Sequence, residues 1–254
     1  MKYIVNAKIL RQESISSDVR LLEVEAPSIA QTAQPGQFVN VEITKQAAPL
    51  LRRPFGIADV NKEAGTITML YRIIGDATKL LAAALPAARL SIIGPLGHGF
   101  ALQAQKPLLI GGGMGLAPLL YLAKTFTQQS TEIIIGGKTK AELFWTKLFQ
   151  PYVQKIYETT DDGTAGLQGL VTAPLPDLLA KANYDCVYVC GPVPMMKSVA
   201  EIVEKHGLPC QVSLEKYMAC GLGACLSCSC QGIGKRLKVC TDGPVFWSKE
   251  VGEW

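Results

Sequence analysis

The sequence predicts a small antiparallel β-barrel followed by an α/β domain with a parallel sheet, and a short cysteine-rich segment at the C-terminus. Three observations predict it. Short strands separated by turn residues fill the first hundred positions, strand and helix alternate from Lys106 onward, and four of the eight cysteines fall within residues 220–240. The expected boundaries are 1–100, 101–212 and 213–254.

A chain of 254 residues has room for two modest domains and a small appendage. A net charge of +4, with no run of Lys or Arg interleaved with aromatics, argues against nucleic acid as a partner. The longest uncharged stretch, Pro107 to Ala123, carries four glycines and two prolines. It reads as a nucleotide loop and not as a membrane span. The opening run Met1-Lys2-Tyr3-Ile4-Val5 carries a charge inside any apolar core and is not expected to be a secretory signal. Together with eight cysteines, this leads us to expect a reducing cytoplasm, where clustered cysteines hold metal or do redox work.

Lys2–Gln12, Val19–Ala26, Gln37–Thr44, Leu51–Val60, Thr66–Ile74 and Arg89–Ile93 are short runs, partly alternating and enriched in β-branched residues. Turn residues such as Pro35-Gly36 and Glu63-Ala64-Gly65 separate them. Six strands at this spacing, with one helical insert over Thr78–Leu85, predict a Greek-key barrel, with a sandwich as the alternative. Next come a strand at Leu108–Ile110, a helix to about Gln129, and a strand at Glu132–Gly136. A helix follows at Ala141–Phe149, then a strand at Lys155–Thr159 and a helix around Val171–Ala182. The last elements are Cys186–Cys190, a helix around Pro192–His206, and a strand over Gln211–Glu215. Such alternation means a parallel sheet able to bind a nucleotide.

Several stretches on this frame carry chemistry. In Arg52-Arg53-Pro54-Phe55-Gly56-Ile57 a guanidinium at Arg53 could grip a pyrophosphate, and Phe55 offers a flat apolar face; the same run also reads simply as a strand. Tyr71-Arg72-Ile73-Ile74-Gly75-Asp76-Ala77-Thr78 ends a strand and opens a helix, whose free amides suit a phosphate. Thr78 as an ordinary helix cap is the plainer alternative. Two phosphate candidates on one barrel point to a dinucleotide such as FAD. Gly94 to Phe100, with His98, is a glycine-rich junction and also a domain linker.

Gly111-Gly112-Gly113-Met114-Gly115 directly follows a buried strand and opens a helix, so the backbone can approach a pyrophosphate. No acid stands just after the second strand, where Lys138-Thr139-Lys140 follow, so the choice between NAD and NADP is unmarked. Cys190-Gly191-Pro192 repeats the strand-to-helix theme at a later strand end, where open α/β sheets bind ligands. Cys190 either lines that site or is a buried small hydrophobe, the reading that also fits Cys186 and Cys210.

Cys220, Cys225, Cys228 and Cys240 follow the spacing C-x4-C-x2-C-x11-C, the first three on a loop of Gly and small residues. Four thiolates wrapped around an inorganic core need such a loop, so that amides point inward at sulfur. The x4-then-x2 spacing is the plant-type [2Fe–2S] pattern with an early fourth cysteine. A zinc site and a pair of disulfides are the alternatives.

In this order the motifs resemble the ferredoxin-NADP reductase superfamily. The run Glu215-Lys-Tyr-Met-Ala-Cys-Gly-Leu-Gly-Ala-Cys-Leu-Ser-Cys and the tail Val239-Cys-Thr-Asp-Gly-Pro-Val-Phe246 are similar to the electron transfer subunits of B-type dihydroorotate dehydrogenases. That resemblance spans nearly the whole chain. It implies FAD on the barrel, NAD on the α/β domain, and [2Fe–2S] at Cys220, Cys225, Cys228 and Cys240. It also implies a partner, an FMN-containing catalytic subunit in a heterotetramer of two plus two, working in pyrimidine biosynthesis. Residue by residue, it places Arg53, Pro54, Phe55, Gly56 and Ile57 against the flavin. Tyr71, Arg72, Ile73, Gly75, Ala77 and Thr78 go to the FAD side, and Gly111, Gly112, Gly113, Gly115, Cys190, Gly191 and Pro192 to the nicotinamide nucleotide. The superfamily usually has Ser or Thr at Gly56, so a hydroxyl on the flavin is missing here.

The parts also cohere without the resemblance. A nicotinamide exchanges two electrons as hydride, a cluster passes one at a time, and a flavin does both, so the flavin belongs between them. No general base is required. Two other readings stay open: a similar FAD/[2Fe–2S] subunit of a sulfite reductase, hydrogenase or ferredoxin:NADP complex, and a zinc-stabilised nucleotide-binding module.

Overall fold

The computed structural model describes residues 1–44, 48–126, 130–252 and 254. The chain forms two compact units. One comprises 1–99, 215–229 and 238–244; the other comprises 100–214, 230–237 and 245–254.

The first unit is a closed barrel of β1 (Tyr3–Ser14), β2 (Val19–Glu25), β3 (Phe38–Glu42), β4 (Arg53–Asn61), β5 (Thr66–Arg72) and β6 (Arg89–Leu96). Its strands run in the order β1-β2-β5-β4-β3-β6. β6 decides between barrel and sandwich, because it pairs antiparallel with both β1 and β3 and so closes the ring. Alternation fills the interior: Ile9, Leu22, Val41, Ile57, Met69 and Ile92 are fully buried. Helix α1 (Pro27–Thr32) is short and was not legible as a helix. It opens with Pro in the first turn, where a missing N–H is harmless, and buries Ile29 and Ala30. Helix α2 (Asp76–Ala82) begins two residues before the expected Thr78.

The second unit is a sheet built from β7 (Pro107–Gly112), α3 (Leu116–Thr125), β8 (Glu132–Gly137), α4 (Trp145–Phe149), β9 (Lys155–Thr160), β10 (Leu167–Gln168), α5 (Leu175–Lys181), β11 (Cys186–Cys190), α6 (Val193–Lys205) and β12 (Cys210–Ser213). Near the C-terminus β13 (Ser229–Gly232) and β14 (Lys235–Lys238) form a two-stranded sheet, and β15 (Val245–Trp247) runs antiparallel to β12. The large sheet has the order β10-β9-β8-β7-β11-β12-β15. From β7 the chain winds outward through β8 and β9, then returns to the other side at β11. The point of reversal therefore lies between β7 and β11, the place where an open α/β sheet parts its loops.

The expected end of the helix near Gln129 lies outside the described residues. The helix expected at Ala141–Phe149 opens as a 3-10 turn over Lys140–Phe144, because Leu143 leaves helical geometry. The helix expected from Val171 starts only at Leu175, where the prolines at 174 and 176 set the first turn.

Candidate functional site

On the barrel, β4 presents Arg53 to Ile57 with Val41, Asn40, Val39 and Phe38 of β3 opposite Arg53, Pro54, Phe55 and Gly56. The two arginines divide their work. Arg52 donates to the Ser91 carbonyl at 2.7 Å and hydroxyl at 2.8 Å and pairs with Glu42, so it fastens strands together. Among the described residues Arg53 bonds only the carbonyls of its neighbours Leu51 and Arg52, so its guanidinium is tied to no other strand there. Phe55 packs against Tyr71 with ring centroids 5.5 Å apart. The Tyr71 hydroxyl donates to Gln12 at 3.1 Å, and burial pushes its pKa up to about 12.

Arg72 pairs with Asp18, and the Ile73 amide donates to the Asp18 carbonyl. Thr78 takes the capping role: its hydroxyl accepts from the Ile74 and Gly75 amides at 3.0 and 3.1 Å and donates to the Gly75 carbonyl. It thereby shapes the turn whose next amides, at the start of α2, have no partner within the helix. Ala77 is buried, and a Cβ on Gly75 would meet nothing within 4 Å, so the turn is open above Gly75.

In the second unit the glycine turn and Cys190-Gly191-Pro192 sit at the C-terminal ends of the adjacent strands β7 and β11, with Gly111 in register with Cys190. Their backbones touch. A Cβ on Gly115 would lie 2.5 Å from the Gly191 nitrogen and 2.6 Å from the Cys190 carbonyl, so no other residue fits. Gly113, at φ +58, borders open space. Cys190 is 1% exposed with its thiol directed at the Ser213 carbonyl, as a buried small hydrophobe would be. Residues not foreseen lie at the end of β8. Glu142 accepts from the Lys138 amide at 2.9 Å, and the Asp161 amide donates to the Gly137 carbonyl at 3.1 Å. An acid absent from the linear position after the second strand thus arrives from a later turn, as Glu142, while Asp161, just past β9, meets the end of β8 through its backbone.

Cys220, Cys225, Cys228 and Cys240 all belong to the barrel unit, and all are free thiols. Cys220 Sγ accepts from the Leu222 and Cys225 amides at 3.3 and 3.4 Å, and Cys228 Sγ from the Cys240 amide at 3.5 Å. Positive φ at Gly221 (+70), Gly223 (+85) and Leu226 (+63) bends the loop round the sulfurs. A hydrogen bond with Ser227, reinforced by Cys220, holds the Cys225 thiol low, at about 6. Burial, with Cys228 next to it, raises Cys240 to about 11. No three His, Cys, Asp or Glu side chains among the described residues are arranged around a single ion. Three thiols on one loop and a fourth beyond β14, with amides aimed at the sulfurs of Cys220 and Cys228, fit the donor set that a cluster uses. Asn40, also unforeseen, is fully buried beneath this loop and donates to the Cys220 carbonyl at 3.5 Å. Nothing in the sequence marks it beyond its place in the expected strand Gln37–Thr44. His98, by contrast, serves the fold, its amide donating to the Gly243 carbonyl at 2.6 Å.

Three family models match along the chain: an oxidoreductase FAD-binding domain at residues 6–100, an oxidoreductase NAD-binding domain at 109–201, and the iron–sulfur cluster binding domain of dihydroorotate dehydrogenase B at 215–252. The chain is 38% identical over 257 residues to the dihydroorotate dehydrogenase B (NAD(+)) electron transfer subunit of Caldanaerobacter subterraneus subsp. tengcongensis, covering 99% of each chain. The chain belongs to this family of electron transfer subunits. A second member, from Geobacillus thermodenitrificans, is 37% identical over 96% of both chains. Among solved structures, one of an NADH-dependent reduced ferredoxin-NADP oxidoreductase superposes with a TM-score of 0.87 at 29% identity, covering 98% of this chain and 90% of that one. The chain therefore has FAD-binding, NAD-binding and iron–sulfur domains on a ferredoxin-NADP reductase-like fold. Among the described residues no helix is long and apolar enough to cross a membrane.

Proposed function

We propose that this subunit takes electrons from the FMN of a dihydroorotate dehydrogenase catalytic subunit and delivers them to NAD+, through a [2Fe–2S] cluster and FAD. The assembly is a heterotetramer of two plus two. The observation that carries this reading is the near-complete match to a family so named, on a chain whose four free thiols belong to one compact unit. FAD, when bound, supplies the exchange between single electrons and hydride.

The chain's own residues bind and orient. Arg53 offers a guanidinium to the FAD pyrophosphate, and Phe55 and Ile57 give the ring an apolar seat. Gly56 presents only its backbone. The turn capped by Thr78 offers amides to phosphate, as does the turn at Gly111–Gly115 for the nicotinamide nucleotide, with Gly191 and Pro192 beside it. The amides of Leu222, Cys225 and Cys240 hold negative sulfur. Leu222, Leu226 and Tyr217 are exposed around the loop, and we take them as the face that meets the catalytic subunit. Leu222→Asp with Leu226→Asp should abolish assembly; an intact complex with native transfer would refute that face.

The chain carries no site for dihydroorotate in this reading. Orotate should form, with NAD+ reduced, only when both subunits are mixed. Orotate formed by this chain alone would overturn the proposal. The 29% identity to a reduced ferredoxin-NADP oxidoreductase chain favours one second reading, service to a ferredoxin-linked partner. The subunit that copurifies with the chain distinguishes the two.

A further inference from the structure

Asn40 lies where the barrel meets the cysteine loop, within one compact unit. On β3 it alternates with Val39 and Val41, and all three are fully buried, so both faces of this strand are covered. The side bearing Asn40 is covered by the loop's first turn. A Cβ on Gly221 would come within 2.9 Å of Asn40 Nδ2, and Gly221 has φ +70. The loop can lie this close only because residue 221 is glycine.

The Asn40 amide is oriented. Nδ2 donates to the Cys220 carbonyl at 3.5 Å, and the flipped amide would set oxygen against oxygen. Oδ1 has no hydrogen-bond partner among the described residues, an unfavourable arrangement for a buried acceptor. The donor end is therefore what the position uses. The backbone of the same residue stands opposite Pro54, and its carbonyl accepts from Arg52. The β3–β6 register shifts between Phe38 and Asn40, an irregularity of the kind that re-aims a side chain. One residue thus joins the Arg53–Ile57 stretch to the first cysteine, 180 positions away.

We propose that Asn40 is a positioning residue for electron transfer between flavin and cluster. It fixes the Cys220 peptide, so that the Cys220 sulfur keeps its donors Leu222 and Cys225 at a set place beside β4. The inference rests on the proposed flavin stretch and cluster ligands. Amide donors to sulfur favour the reduced cluster, which carries one more negative charge. A loosened loop should therefore lower the cluster's potential and slow its one-electron reduction by the flavin, itself reduced by hydride from NADH.

The test uses the full chain, purified anaerobically with its cofactors, as Asn40→Leu and, approaching the same contact from the loop, Gly221→Ala. Iron and flavin content are measured first. The cluster's potential is then titrated by electron paramagnetic resonance, and flavin and cluster bleaching by NADH are followed separately. We expect both variants to keep flavin, to shift the cluster potential negative, and to slow cluster bleaching about tenfold or more relative to flavin bleaching. A native potential and native cluster bleaching in either iron-replete variant would overturn the inference. Failure of the underlying reading looks different: the unaltered chain would then hold no iron or no flavin, and the inference would fall with it.

Discussion

The glycine turn of the sheet and the cysteine loop of the barrel unit are both cradles made of backbone, yet they are held in shape in opposite ways. At Gly111–Gly115 the geometry comes from regular structure: a buried strand feeds a helix, and the neighbouring strand's Cys190-Gly191 backbone presses against Gly115. At Cys220–Cys228 no helix or strand runs through the loop until β13 begins at Ser229. Its shape depends on positive φ at Gly221 and Gly223, on side chains such as Asn40 and Thr241 that those glycines let approach, and on amide bonds to sulfur. A turn built on a sheet is rigid without its ligand. A loop built on side-chain contacts owes more of its order to what it holds.

The largest expected effect falls on the loop. Cys228→Ser should remove iron from the chain altogether while flavin stays and still bleaches with NADH; iron analysis with visible spectra checks this, and retained iron would break the comparison. Gly115→Ala comes next. Its methyl meets backbone on three atoms, which cannot yield as a side chain would, so stability should fall by about 2–3 kcal/mol, with NAD+ affinity falling as well. Denaturant unfolding and calorimetric titration with NAD+ read both.

Gly113→Ala should be milder, because the space above it is open and only its positive φ resists, at about 1–2 kcal/mol. An equal loss at Gly113 and Gly115 would mean that backbone contact is not what shapes the turn. The smallest effect is alkaline. Burial raises the phenols of Tyr71, Tyr184 and Tyr188, so the folded state favours their protonated forms. Their contribution is whole below pH 10 and, for Tyr71, is lost as pH rises through about 12. Tyr71→Phe should flatten part of that decline in a denaturant series; parallel curves would contradict it.

The difference between the two cradles also sets what could be read from the sequence. The sheet was legible nearly strand by strand, since continuous apolar runs such as Leu108–Ile110 and Ile133–Ile135 allow few other placements, and the barrel was legible as six strands. Closure of the barrel was not, because it depends on β6 pairing with β1 and β3 across the whole domain. The cysteine spacing pointed to a cluster, with zinc and disulfides as the alternatives, but the support of that loop was hidden. Asn40 is one polar residue in an expected strand, and the loop it supports lies 180 positions later. The Glu142 carboxylate and the Asp161 backbone reach the end of β8 from a later turn and from just past β9, which linear reading past Lys138 cannot show.

The central claim is that one chain joins nicotinamide, flavin and cluster. Its most direct test is the spectrum of the anaerobically purified protein before and after NADH, by visible absorption and by electron paramagnetic resonance at low temperature. The expected result is a flavin band over broad iron–sulfur absorption, both bleaching, with a paramagnetic signal from a reduced [2Fe–2S] centre. A flavin that bleaches over a colourless, silent metal site would contradict it, leaving a reductase with no one-electron exit.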